Sequence, residues 1–130
     1  MRETMNSLIR FEFGSVDRMR GSDDAFVGSV RDGIETVDGL LRCIADALQF
    51  PAYFGGNWNA LSDCLRDFHW VAQKKIKLVH GRLPVLPYDQ LKIYLEVLRD
   101  ATLDWIADDS HEFIVCFDVA VKEDVVALLL

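Results

Sequence analysis

Nothing in this chain approaches the roughly 20 consecutive apolar residues that span a bilayer. Its first residues carry Arg2, Glu3, Arg10 and Glu12, with no apolar run of signal-peptide length between them. The three cysteines, Cys43, Cys64 and Cys116, form no CxxC pair and no Cys/His group at zinc spacing. A disulfide scaffold and a zinc ribbon are thereby excluded, and reduced, buried thiols in the cytoplasm are expected. Gly55-Gly56 lacks the Lys-Ser/Thr that would make it a phosphate-binding loop. Positive charge is scarce: 14 Lys and Arg face 21 Asp and Glu, for a net charge of -7. Such a chain repels nucleic-acid backbones and anionic membrane surfaces. The same charge speeds encounter with a basic protein. His69, His80 and His111 fall in separate segments. His69 beside Asp67 is a faint hint of acid–base chemistry, without a nucleophile or second base. No enzyme, cofactor or metal is therefore expected.

What is present is a sizeable core. Hydrophobic residues make up 51% of 130 residues, enough for one domain and too few for two. Leu8–Phe13 alternates partly and suits an edge strand. Gly14–Asp24 is rich in Gly, Ser and charge and reads as a connector. Phe26–Val30 predicts a strand. Asp38 then suits the N-cap of a helix over 39–49, closed at Phe50-Pro51. Lys75–Val79 predicts a second strand. Asp89–Ala107 predicts the longest helix, broken by Asp108-Asp109-Ser110. Glu112–Phe117 is a nearly continuous apolar run, as in a strand buried on both faces. Residues 118–130 fit a closing helix or a strand equally. The order is α/β, and crossovers through helices make the strands parallel.

The distinctive segment runs from Pro51 to Phe68, a Pro/Gly-rich aromatic loop feeding a short helix. Asn57 is its natural N-cap. Trp58, Leu61, Leu65 and Phe68 recur at helical spacing as one apolar stripe. Trp58, near the helix start, fits that stripe or an interface rim equally. Asn59, Ser62, Asp63, Arg66 and Asp67 occupy the other side. Asp63 and Asp67 also fit ordinary solvated helix charges. Of Tyr53 and Phe54, one ring is expected to pack inward and the other to point out.

The residues F-P-A-Y-F-G-G-N-W-N-A-L-S-D-C-L resemble the barstar family pattern L-P-x-Y-Y-G-x-N-x-D-A-L-W-D-C-L. Val97-Leu98-Arg99-Asp100-Ala101 resembles a second family segment, which ends in an acidic partner contact. The resemblance implies a small three-stranded parallel sheet packed with helices over about 25–117, in a single domain of 1–130. Residues 1–24 would be an N-terminal extension, with an added edge strand as one option, and 118–130 a C-terminal one. It also implies an intracellular bacterial inhibitor or immunity protein, monomeric when free, that plugs the active site of a basic ribonuclease or nuclease toxin. Asp63 would sit where the substrate phosphate binds and meet Arg and His side chains. Tyr53 would stack near the catalytic His, Asn57 would order the loop and touch the partner, and Asp100 would add a peripheral acidic contact. Asn59, Ser62, Asp67 and Phe68 complete the expected binding set. They are also departures: Asn59 replaces an Asp, Ser62 a Trp, and Asp67-Phe68 a Gly-Trp pair, while Gly56 replaces an acidic residue. These substitutions support a second reading, a binding module for some other basic protein such as a non-ribonuclease toxin or a regulator.

Overall fold

The computed structural model describes residues 7–21 and 24–130. Residues 1–6, 22 and 23 of the expected N-terminal extension lie outside the described residues. The elements follow in the order β1 (Phe11–Gly14), α1 (Val16–Arg20), β2 (Phe26–Val30), α2 (Val37–Ala47) and α3 (Trp58–Leu65). Then come β3 (Lys75–His80), α4 (Tyr88–Asp108), β4 (Glu112–Asp118), a 3-10 turn (Val119–Val121) and α5 (Lys122–Leu129).

The sheet has four parallel strands in the order β1-β4-β3-β2, one more than the expected three. The extra strand is the N-terminal one. It starts at Phe11, after a turn at Leu8–Arg10, and pairs Phe11 with Val115 and Phe13 with Phe117 on the edge of β4. β4 is therefore interior, which accounts for its unbroken apolar run. Phe113, Val115 and Phe117 enter the main core, while Ile114 and Cys116 join a smaller cluster on the other face.

Strand order explains the segment read as a connector. From β2 to β3 to β4 the chain steps one way across the sheet, with helices on the main face. From β1 to β2 it crosses the whole sheet the opposite way. Parallel crossovers are right-handed, so this connection must pass over the other face. α1 is found there, with Met19 against Val79, Ile114 and Cys116. Arg20 Nε donates to Ser29 Oγ at 3.1 Å.

On the main face α2 packs on β2 and α4 on β4, while α3 and α5 pack on α4. Gly28 is the point of closest approach. A Cβ there would come within 2.8 Å of Leu48 and 3.0 Å of the Ala47 carbonyl, so only glycine lets the end of α2 lie on β2. The undecided C-terminal segment is helical and buries Val125, Leu128 and Leu129. The cap of α2 is Thr36, not Asp38: its side chain accepts from the Gly39 N–H at 3.0 Å. Asp38 instead lies in the first turn, where its charge suits the helix dipole, and pairs with Arg42 at 3.0 Å. All three cysteines are buried and unpaired.

One polar pair is buried outright. His80 at the end of β3 is fully buried, its Nδ1 3.1 Å from the Cys116 carbonyl and its Nε2 2.6 Å from the Tyr94 hydroxyl. Nδ1 therefore donates to the carbonyl and Nε2 accepts from Tyr94. Burial pulls its pKa down to about 4, against a small upward effect of the Cys116 carbonyl.

Candidate protein-binding face

The loop before α3 is held by its own aromatic rings. Phe54 turns inward and meets Phe50 edge-on at 5.0 Å, and Phe50 meets Trp70 at 5.8 Å. Trp70 Nε1 donates to the Leu48 carbonyl at 2.9 Å. Tyr53 takes the other direction and is 62% exposed. Gly56, at φ +70°, turns the chain into α3 through a backbone region that side chains rarely adopt. Asn57 Oδ1 then accepts from the Ala60 N–H at 2.7 Å, capping the helix as expected.

α3 is fixed at both ends. At its start Trp58 lies against Tyr94 and donates from Nε1 to Gln90 Oε1 at 3.0 Å. At its end Trp105 Nε1 donates to the Leu65 carbonyl at 2.7 Å, and Arg66 pairs with Asp104 at 3.0 Å. Leu61, Cys64 and Leu65 are buried below. Burial, with Asp67 and Asp63 nearby, pushes the Cys64 thiol pKa up, so it stays protonated.

The opposite side presents Asn57, Asn59 and Asp63, all exposed, with Ser62 half-buried among them. Among the described residues no cation lies within ion-pair distance of Asp63. Asp67, also exposed, is engaged. Tyr53 Oη donates to its Oδ2 at 3.0 Å, and His69 Nδ1 lies 3.0 Å from both carboxylate oxygens. The Tyr53 and His69 rings are stacked, 8° from parallel with centroids 6.5 Å apart. Partial desolvation raises the Asp67 pKa, but hydrogen bonds from His69 and Tyr53 outweigh it and hold the carboxyl below the ordinary range. Desolvation, the hydrogen bond to Asp67 and its charge push the Tyr53 hydroxyl up. The three side chains tie the loop before α3 to the segment after it.

Phe68 does not belong to this surface. It is fully buried, with Trp105, Phe113 and Trp70 around it, and its backbone adopts φ +48°. Its place in the expected binding set is corrected to a core support beneath the helix end. Asp100 is half-buried on α4, where Arg99 Nε donates to it at 3.1 Å, and it shares no hydrogen bond or ion pair with the α3 residues. Sequence reasoning missed His69 as the third member of the Tyr53–Asp67 group and Arg66–Asp104 as the tie to α4. The Asp67-x-His69 spacing was a signal for the first. Nothing in the sequence marked the second.

A family model described as Barstar (barnase inhibitor) matches residues 28–118. The chain belongs to the barstar family. No curated protein and no solved structure matches it. The match runs from Gly28 in β2 to Asp118 at the end of β4 and contains the whole loop and α3. Among the elements outside it are β1, α1 and α5, so the barstar-like part is completed here by an edge strand and two helices. The family is one of ribonuclease inhibitors, which makes this chain one of a protein-binding type. Among the described residues no helix is long and apolar enough to cross a membrane.

Proposed function

We propose that this chain blocks the active site of a basic bacterial ribonuclease with α3 and the loop before it. The observation that carries this reading is Asp63, an exposed carboxylate with no cation within ion-pair distance among the described residues, on a helix capped by Asn57 and fixed to α4 at both ends. A ribonuclease cleft must attract a polyanion and is lined with Arg, Lys and His. A carboxylate on a rigid helix substitutes there for phosphate and accepts paired bonds from Arg. Tyr53, Asn57, Asn59, Ser62 and Asp67 surround Asp63, and Asp100 contributes a peripheral charge. The chain acts as an inhibitor or immunity protein in the bacterial cytoplasm, monomeric until it meets its target.

The test is RNA cleavage by barnase at increasing concentrations of the chain, for the wild type, Asp63→Ala and Asp17→Ala. Asp63→Ala weakens inhibition by about 2–5 kcal/mol, a range that itself draws on the barnase–barstar complex and is borrowed from it. Asp17→Ala, on α1, leaves it unchanged. Equal inhibition by the two variants overturns the assignment. A second reading is favoured by exposed Asn59 and by Ser62, which offer an amide and a hydroxyl where the family carries a charge and a large ring. In that reading the same face grips a basic protein that is not a ribonuclease, and capture of such a protein, lost in Asp63→Ala, distinguishes it.

A further inference from the structure

Beside the α3 face lies a groove of about 400 Å³ between α2 and the loop before α3. Its size is at the lower end of cavities that accept a ligand or a guest side chain. The floor is apolar, formed by Leu41, Ala45 and Phe54. One wall is Gly55-Gly56, with Gly56 at φ +70°, a backbone region that side chains rarely adopt. The other wall is charged. Asp38 is already paired with Arg42, but among the described residues Asp46 has no cation within ion-pair distance. The groove thus joins an apolar floor to one unmatched carboxylate.

We propose that this groove is a second anchor site, which takes an arginine side chain of the basic partner that covers α3. The proposal rests on the reading of α3 as a partner-binding face. Continuity supports it, because Gly55 and Gly56 belong both to the groove wall and to the loop that presents Tyr53 and Asn57. Charge complementarity supports it too, since Asp46 is an exposed carboxylate with no cation within ion-pair distance among the described residues. Arginine fits better than lysine. Its planar guanidinium lies flat on an aromatic ring and forks onto a carboxylate, while its stem covers Leu41 and Ala45. Acidic or purely apolar side chains leave Asp46 repelled or unmatched.

The test uses the full chain, isotope-labelled, titrated with N-acetyl-arginine amide and, in parallel, N-acetyl-norleucine amide. Saturable amide shifts at Ala45, Asp46, Gly55 and Gly56 are expected with the arginine probe and not with norleucine. Asp46→Asn weakens the arginine response by about threefold to fivefold, the scale of an exposed ion pair. Asp17→Ala, on α1, leaves it unchanged. No shifts at these amides, equal shifts with both probes, or an undiminished response in Asp46→Asn overturns the proposal. The two readings fail separately. Ribonuclease inhibition that depends on Asp63 beside a silent groove sinks only the second anchor. A responsive groove beside inhibition indifferent to Asp63 sinks only the α3 assignment.

Discussion

Tyr53 is the most exposed aromatic ring of the binding face and yet is not free to turn. Its hydroxyl is held by Asp67 and its ring is stacked on His69. A side chain ordered before binding loses less entropy when the partner arrives. Asp67→Ala should therefore weaken binding several-fold through loss of this order, with little change in thermal stability. Tyr53→Phe should show the same direction. The grip also depends on pH. The Asp67 carboxyl is held low, so its contribution is complete above the ordinary carboxylate range and fades as pH falls through its depressed value. Binding measured by calorimetry across acidic pH, wild type against Asp67→Ala, checks this; parallel profiles would remove Asp67 from the account. Residue by residue the face was half legible in the sequence. The outward set from Asn57 to Asp63 follows from helical spacing and capping alone. Phe68 shows the limit. The same spacing put it on the apolar stripe and the family pattern put it in the interface, and burial decides for the stripe. The sequence puts Asp67 in the expected binding set, beside its reading as a solvated charge, and hints only at His69 as its neighbour; the bond to Tyr53 spans 14 positions, and no local pattern reports a Tyr–carboxylate bond.

At the scale of elements, α3 has eight residues and is too short to stand alone in water. Its order is supplied by Asn57 at one end and by α4 along its length. Asn57→Ala removes the acceptor for the Ala60 N–H and should cost about 1 kcal/mol in urea unfolding, with a further loss in partner affinity. Asn57→Gly should recover most of the stability, because glycine is tolerated at this position. Equal stability of wild type and Asn57→Ala would show that the ties to Gln90 and Trp105 suffice. Periodic segments such as α3 and α4 announce themselves. α1 does not, with Val16 and Met19 its only apolar positions among Gly, Ser and charge. What makes it a helix is the sheet face it must cover, a demand that comes from strand order and is invisible locally. The shift of the α2 cap from Asp38 to Thr36 has a similar origin. Both residues are good caps, and the choice falls to the tertiary bonds of the preceding turn, where Ile34 is buried and its carbonyl accepts from the Val85 N–H at 2.7 Å.

Across the whole molecule the buried His80 links the sheet to α4 and sets a pH limit on stability. In the folded chain its pKa is about 4, against an ordinary value near 6.5. Between these values the unfolded chain binds the extra proton, so stability rises with pH across the window and is complete above it. The full effect is about 3 kcal/mol. Chemical denaturation from pH 7 down to pH 4 should show this loss in the wild type. His80→Gln should be less stable throughout but have a flatter pH slope in that window. A slope equal to that of the wild type would mean that carboxylates alone govern acid unfolding.

The edge strand bears on how the chain reaches this state. Glu12 of β1 and Cys116 of β4, partners in register, are separated by 104 positions. Pairs so distant close late, because the intervening loop costs entropy before the contact returns any. The strands β2, β3 and β4 meet over shorter spans, as in Phe26 with Ile76 and Ile76 with Phe113. On a ribosome, β1 emerges early and then waits, with Phe11 and Phe13 exposed, until β4 has been made. The strand added to the barstar-like part is thus the one most open to mispairing during synthesis, and the charges of Arg10 and Glu12 around its phenylalanines act as gatekeepers over that interval.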